Sequence, residues 1–219
     1  MTRRTETLTS GGLHLALHTL ADGPGRPLLL LHGLGERAPA ERPAWTSVWP
    51  GPVLALDFTG HGESRVPVAG GYMPESLMAD VDAVLAVKGP CTVVGRGLGA
   101  WVALLVAGAR PELVHGAVLA DGSGLAGGGP QPPSPYVEVL PPVGDRTPDP
   151  FALLELSRDV RPPDYALDFV RFAIEGSAFE HPIIVSARIR PDWVTAVAAD
   201  LDVLDLPLTE AIEHFVRAG

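Results

Sequence analysis

The sequence has a single cysteine, Cys91, and a single lysine, Lys88. One cysteine excludes an intramolecular disulfide, and its place at the start of an apolar run predicts a small core residue. No apolar run approaches the length of a membrane span, and no apolar region follows the first five residues, so we expect neither a membrane segment nor a signal peptide. No grouping of His, Cys and carboxylates has the spacing of metal ligands. We therefore expect no metal and no cofactor.

The shortage of basic residues leaves a formal net charge of −10. An acidic surface argues against nucleic acid or an anionic membrane as the main partner. Apolar residues, in contrast, make up 46% of the 219 residues, which is enough for one domain with its own core. We expect a soluble, cytoplasmic protein, and the abundance of Ala, Arg, Gly and Pro over Lys indicates a bacterial, GC-rich genome.

Short apolar runs alternate with helical patterns along the first half of the chain. A hairpin is predicted over residues 6–20, and strands over 28–31, 53–56, 92–94 and 114–120. In these four runs the odd-numbered and the even-numbered positions are both apolar, as in parallel strands covered on both faces. Helices are predicted over 75–87 and 98–109, the second wholly buried. The alternation predicts a three-layer α/β/α sandwich with a mostly parallel sheet.

The second half has a different character. Residues 122–150 are rich in Gly and Pro, which predicts an irregular excursion. Helical patterns follow at 150–159, 163–176, 191–199 and 207–217. Residues 183–185 are the one later strand candidate, and a helix could equally contain them. We therefore predict a sheet truncated after the sixth strand and a helical C-terminal segment. The expected organisation is a core over 1–124, with a cap excursion and helical segment over 125–219 in the same domain.

Three strand ends carry glycine-rich motifs, and strand ends are where open parallel sheets bind ligands. They are His32-Gly33-Leu34-Gly35, residues 57–64 (Asp-Phe-Thr-Gly-His-Gly-Glu-Ser) and residues 95–99 (Gly-Arg-Gly-Leu-Gly). In this order and spacing they resemble the HG loop, the D-x-x-G-H-G-x-S turn and the G-x-S-x-G nucleophile elbow of the α/β-hydrolase family. The resemblance covers about residues 6–124.

The resemblance places Gly97 where family members carry a nucleophilic serine. A glycine has no atom that can attack a carbonyl, so acyl-enzyme chemistry at this position is excluded. Gly95 and Gly99 suit the sharp turn of the elbow. The family carries its acid after a later strand and its histidine after the last one, and we find no strand followed by a histidine loop. The candidate catalytic groups that remain are His32, Asp121 and His181.

The resemblance also implies that amides of the HG loop and of Leu98 can form an oxyanion hole without a nucleophile. We predict a site for a small carbonyl or carboxylate ligand, built from Gly33, Leu34, Arg96, Gly97 and Leu98. Arg96 has two interpretations, an anion contact at a helix N-terminus or a salt bridge. Asp121 is expected to cap the Gly122-Ser123 turn rather than to act as an acid, and Glu36 to face solvent.

Three functional hypotheses remain open. The first is a pseudoenzyme, a degenerate hydrolase homologue that binds a small molecule without hydrolysing it. The second is an enzyme that uses the residual oxyanion pocket for lyase, isomerase or cyclase chemistry. The third is an inactivated variant of a serine esterase-type hydrolase. The edge of the shortened sheet needs a cover, which either the C-terminal helices or a second copy in a homodimer would provide.

Overall fold

The computed structural model describes residues 3–68, 70–128 and 146–218. Eight strands form one sheet in the order β1-β2-β4-β3-β5-β6-β7-β8. The first two strands pair antiparallel, β2 also pairs antiparallel with β4, and every later pair is parallel. The strands are β1 (Arg4–Ser10), β2 (Leu13–Ala21), β3 (Leu28–Leu31), β4 (Val53–Leu56), β5 (Cys91–Arg96), β6 (Val114–Ala120), β7 (Ile183–Val185) and β8 (Leu204–Asp205).

Helices cover both faces of this sheet. They are α1 (Pro74–Lys88), α2 (Leu98–Ala109), α3 (Pro150–Ser157), α4 (Pro163–Gly176), α5 (Asp192–Ala198) and α6 (Leu208–Ala218). Buried residues of α1 to α5 pack on one face together with Leu29 and Val93, whereas α6 packs on the other face with Leu30 and Val94. Successive residues of a strand point to opposite faces. Strands that are apolar at every position therefore contribute side chains to the core on each face of the sheet. The predicted three-layer α/β/α class is confirmed.

The predicted end of the sheet after six strands needs correction, because β7 and β8 extend it. Residues 183–185 pair in parallel with β6, and Leu204–Asp205 pairs in parallel with β7. The strand candidate at 183–185 is thus a strand, whereas β8, with two residues, is too short to show a periodic pattern. Part of the predicted cap excursion, residues 129–145, lies outside the described residues.

One position on β6 shows why the α6 layer packs closely on the sheet. Gly116 has a φ of +102°, and a Cβ there would lie 2.4 Å from the ring of Phe215. The Phe215 side chain on α6 is fully buried. Glycine therefore both permits this backbone conformation and makes room for the aromatic ring.

The parallel register brings the motifs to one edge. Leu31 at the end of β3 pairs with Gly95 on β5, and Gly95 pairs with Leu119 on β6. The segments after β3, β5 and β6 therefore leave the sheet side by side. The HG loop, the elbow and the residues from Asp121 onward meet there.

Candidate functional site

Gly97 forms the turn between β5 and α2. Its φ is +59° and its ψ is −118°, a backbone conformation that is strained for any residue with a side chain. A Cβ built on Gly95 would lie 2.0 Å from the Gly99 carbonyl oxygen, and one on Gly99 would lie 2.7 Å from the His32 carbonyl oxygen. The flanking glycines are thus needed for the sharp turn, as the sequence pattern indicates.

The space above Gly97 is filled by the chain itself. A Cβ on Gly97 would lie 2.1 Å from the carbonyl oxygen of Ser123 and 2.5 Å from the carbonyl carbon of Gly122. Real Cβ atoms do not approach backbone so closely. A side chain of any kind at residue 97 would therefore require residues 122–123 to move.

The Ser123 carbonyl oxygen also accepts two hydrogen bonds that matter for the predicted ligand site. The backbone N–H groups of Leu34 and Leu98 both donate to it, each at an N···O distance of 2.9 Å. These are the two amides that the resemblance assigns to an oxyanion hole, one in the HG loop and one after the elbow glycine. They converge on one oxygen, which is the geometry of such a hole, and that oxygen belongs to the protein.

The segment that carries this oxygen, residues 121–125, is held at several further points. Trp193 Nε1 donates to the Leu125 carbonyl at 2.8 Å, and the buried Arg161 guanidinium donates to the carbonyls of Gly124 and Leu125. At the other end, the Asp121 carboxylate accepts from backbone amides that follow β7. The segment is therefore an anchored part of the fold.

Glu36 and Arg96 form an ion pair next to this segment, and Glu36 also hydrogen-bonds to it. Glu36 accepts from the Ser123 hydroxyl at 3.0 Å, from Arg96 Nη1 at 3.1 Å and from the Gly33 amide at 3.3 Å. Burial alone would raise the pKa of the Glu36 carboxyl, but Arg96 and these hydrogen bonds outweigh it and hold the pKa below its ordinary value. Glu36 is thus partly exposed and also contacts the site, and Arg96 forms the salt bridge that was one of its two interpretations.

His32, the first candidate base, is buried with both ring nitrogens in use. Nδ1 lies 2.7 Å from the Gly33 carbonyl oxygen, to which it donates, and Nε2 accepts from the Phe58 amide at 3.1 Å. Burial, reinforced by the neighbouring His61 ring, lowers the pKa of His32 to about 4. The ring is therefore neutral at neutral pH and links the HG loop to the end of β4.

The second motif, residues 57–64, is held together by a buried carboxylate. Asp57 accepts from the amides of Ala38 at 2.6 Å and Glu63 at 2.8 Å, and its Oδ2 lies 3.0 Å from His18 Nε2. Burial alone would raise the pKa of Asp57, but these contacts outweigh it and hold the pKa below its ordinary value. These contacts fix the conformation of the loop beside the site. Because the Asp57 carboxylate is already engaged in them, it is not available as a catalytic acid.

The other two candidates, Asp121 and His181, lie apart. The Asp121 carboxylate accepts from the amides of Arg188 at 2.8 Å and Ile189 at 2.9 Å, so it caps the loop after β7 and not the Gly122-Ser123 turn. His181 precedes β7, and the amino end of a parallel strand lies at the sheet edge opposite to Gly97. The structure therefore does not bring His181 together with Asp121 or with Gly97.

An ion pair lies where β7 and β8 end. Arg190 follows β7, Asp205 is the last residue of β8, and the guanidinium Nη2 lies 2.9 Å and 2.8 Å from the two carboxylate oxygens. In the described part of the chain the first histidine after β8 is His214, within α6. The loop after the last strand therefore offers no histidine to residue 97.

Two cavities adjoin the site and share Arg96. One has a volume of about 370 Å³ and lies between the ends of β3 and β5 and the segment 37–45. The other has a volume of about 490 Å³ and is lined by residues that follow β6, β7 and β8. Both sizes fit a small organic ligand.

The described residues include no cluster of His, Cys, Asp and Glu that could hold a metal ion. Of the helices in the described ranges, none has the length and apolar character to cross a membrane.

The fold is that of a known class. The sequence model of the Alpha/beta hydrolase family matches residues 28–218, and the chain belongs to this family.

Among curated proteins, the chain is 35% identical over 112 residues to esterase Rv0045c of Mycobacterium tuberculosis; the match covers 48% of this chain and 36% of that esterase. It is 28% identical over 109 residues to (E)-2-((N-methylformamido)methylene)succinate hydrolase of Acinetobacter baylyi, with 48% and 41% covered. The matched part thus spans less than half of each relative.

Among solved structures, the thioesterase domain from the curacin biosynthetic pathway matches 100% of this chain and 98% of its own, with a TM-score of 0.61 at 16% identity. That likeness supports the fold alone.

The sequence motifs indicated the amide pair but missed its occupant. Ser123 lies in a Gly-Ser-Gly stretch, and nothing in these letters shows where a backbone carbonyl points. The one available signal was steric. A glycine at the centre of the elbow removes the side chain that would otherwise keep neighbouring backbone away from that position.

Proposed function

We propose that this member of the α/β-hydrolase family binds a small molecule at the strand ends and does not hydrolyse it through an acyl-enzyme. The observation that carries the proposal is the Ser123 carbonyl oxygen, 2.9 Å from the amides of both Leu34 and Leu98. An oxyanion hole stabilises a substrate oxygen only if its donors are free to meet it. Here both donors are engaged by the protein, and residue 97 has no nucleophile.

The contacts around the segment support a permanent arrangement. Opening the hole would break both hydrogen bonds, and for the buried Leu98 the loss of its acceptor costs about 1–3 kcal/mol. It would also disturb the contacts of the segment with Glu36 and Arg161. Catalysis by the free amides, as in lyase or isomerase chemistry, would need this displacement before every turnover.

The test combines activity-based labelling with hydrolysis assays. Purified protein is treated with a fluorophosphonate probe and assayed on p-nitrophenyl esters of short and medium acyl chains, with an active serine esterase as the positive control. We expect no labelling and no hydrolysis above background. Stoichiometric labelling of any residue, or ester turnover that fluorophosphonate treatment abolishes, would contradict the proposal.

The alternative of an inactivated serine hydrolase is tested by the Gly97→Ser variant. If serine at residue 97 were the only missing part, the variant would label and hydrolyse esters. The proposal predicts that it does neither, because the structure brings neither His181 nor His214 to residue 97 to act as the base for a new serine.

A further inference from the structure

The cavity between the ends of β3 and β5 and the segment 37–45 has apolar walls. Its volume is about 370 Å³. The walls include Leu30, Val94, Pro39, Pro43 and the ring of Trp45. Burial of apolar ligand surface against such walls is favourable by about 25 cal/mol per Å². The cavity therefore suits a compact apolar body, with the Trp45 ring available to pack against it.

Two guanidinium groups also line this cavity. Within the described ranges, the Arg37 side chain makes no hydrogen bond or ion pair, and Arg96 makes one, to Glu36. A guanidinium carries five N–H donors, so most donors of this pair are unengaged. A guanidinium also matches the geometry of a carboxylate, which it can bind through two parallel hydrogen bonds.

The electrostatic surroundings favour an anion in this cavity. Of the described residues that line it, none is a carboxylate, and His32 is neutral because its pKa is lowered to about 4 by burial and by His61. The nearby Glu36 carboxylate is already engaged by Arg96, Gly33 and Ser123. Two cationic groups face one cavity in a chain whose formal net charge is −10. Such a local reversal of sign attracts anionic ligands.

From the apolar walls and the two guanidinium groups, we infer that this cavity binds a small monocarboxylate with an apolar body. The carboxylate lies against Arg37 and Arg96, and the apolar body lies against Leu30, Val94 and Trp45. The inference rests on the proposed function, since it names the ligand class of a site where nothing is hydrolysed. A ligand placed here leaves the Ser123 contacts intact.

The adjoining cavity is a weaker candidate and supplies a control. Asp121 and Asp205 both line it, and Asp205 already pairs with Arg190 through both oxygens. Besides the shared Arg96 it has the guanidinium of Arg188, whose side chain has no hydrogen-bond or ion-pair partner in the described part of the chain. Arg188 is exposed, as Arg37 is. Replacing either arginine by glutamine therefore removes one unpaired surface charge, and the two variants differ only in which cavity they affect.

The experiment measures binding of phenylacetate and of phenylacetamide by isothermal titration calorimetry and by ligand-observed NMR. We expect phenylacetate to bind at least about tenfold more tightly than the amide, since hydrogen bonds to charged groups contribute more than neutral ones. Arg37→Gln is expected to weaken phenylacetate binding about tenfold or more, and Arg188→Gln to leave it within about twofold. Circular dichroism checks that both variants fold.

Three results would overturn the inference: equal binding of acid and amide, a larger loss in Arg188→Gln than in Arg37→Gln, or no binding of phenylacetate, benzoate or 4-methylpentanoate to folded protein. Fluorophosphonate labelling of the same preparation separates this outcome from the proposed function. Labelling with selective carboxylate binding would refute the absence of hydrolysis and leave the carboxylate site standing. No labelling and no carboxylate binding would refute the carboxylate site alone.

Discussion

Replacing Gly97 by serine or by alanine tests whether the elbow position has been closed by the chain itself. Both variants add the same Cβ, which would lie 2.1 Å from the Ser123 carbonyl oxygen and 2.7 Å from the Ser123 amide nitrogen. These contacts are with backbone, so they cannot be relieved by rotating a side chain. Residues 122–123 must move, and the hydrogen bonds from Leu34 and Leu98 must lengthen or break.

The expected cost follows from two effects. A non-glycine residue in this backbone conformation costs about 1–3 kcal/mol. Each buried amide that loses its acceptor costs about 1–3 kcal/mol more. We therefore expect the free energy of unfolding to fall by about 3 kcal/mol or more in both Gly97→Ala and Gly97→Ser. The two variants should be similar, because the Cβ and not the hydroxyl causes the conflict.

A matched glycine isolates the steric part of this cost. Gly89 follows α1 with a φ of +73°, and a Cβ there would meet no atom within 4 Å. Gly89→Ala and Gly89→Ser therefore carry only backbone strain, which we expect to cost about 1–3 kcal/mol. Urea titration followed by circular dichroism gives all four free energies of unfolding, and fluorophosphonate labelling of Gly97→Ser reports nucleophilicity. The reasoning is refuted if Gly97→Ser is as stable as the wild type, or if it labels.

Three further perturbations address the site and the fold around it. Burial raises the pKa of Asp80 to about 6, against hydrogen bonds from Thr59 that lower it; the native state therefore holds a proton that the unfolded chain releases, and this group contributes on the order of 3 kcal/mol of stability at about pH 4 that is lost by about pH 7. The lowered pKa of His32 acts in the opposite direction over the same range, so the Asp80 contribution is read as a difference: between about pH 4 and about pH 7 the free energy of unfolding of the wild type should fall relative to that of Asp80→Asn in urea titrations. Ser123→Ala removes the hydroxyl contact to Glu36 but keeps the carbonyl, so we expect a loss of about 1 kcal/mol or less and still no fluorophosphonate labelling. Gly116→Ala places a Cβ against the Phe215 ring, and a thermal melt should show a destabilisation of about 2–3 kcal/mol.

Each of these expectations has a contrary outcome. A parallel pH dependence in the wild type and Asp80→Asn would show that another group is responsible. A loss of stability well above about 1 kcal/mol in Ser123→Ala would show that the hydroxyl, and not the backbone carbonyl, holds the segment in place. An unchanged melting temperature in Gly116→Ala would mean that α6 does not pack closely on β6.

The fold followed from the sequence where a pattern was long enough to read. Residues 98–109 were predicted as a buried helix and form α2, and the apolar runs at 28–31 and 53–56 form β3 and β4. Residues 183–185 were a strand candidate that a helix could equally contain, and they form β7, whereas β8 escaped prediction because two residues cannot show a period. Their place in the sheet is decided by pairing with β6 and with each other, which is a long-range property.

The sequence predicted the hydrogen-bond donors of the site but not the acceptor to which they donate. The HG loop and the elbow are local motifs, so Leu34 and Leu98 could be named from sequence. Ser123 could not, because its role depends on a carbonyl group that every residue has. Asp121 and Glu36 show the same limit. Their residue types allowed several partners, and the partners found, the amides after β7 and the Arg96–Ser123 pair, lie far away in the sequence.

The central claim is that the Ser123 carbonyl oxygen accepts hydrogen bonds from the backbone amides of both Leu34 and Leu98. Scalar couplings across hydrogen bonds, measured by NMR on isotope-labelled protein, test it directly. The account predicts couplings from the amide nitrogens of both Leu34 and Leu98 to the carbonyl carbon of Ser123, together with slow hydrogen exchange of both amides. Absence of both couplings, with amides that exchange rapidly with water, would contradict it.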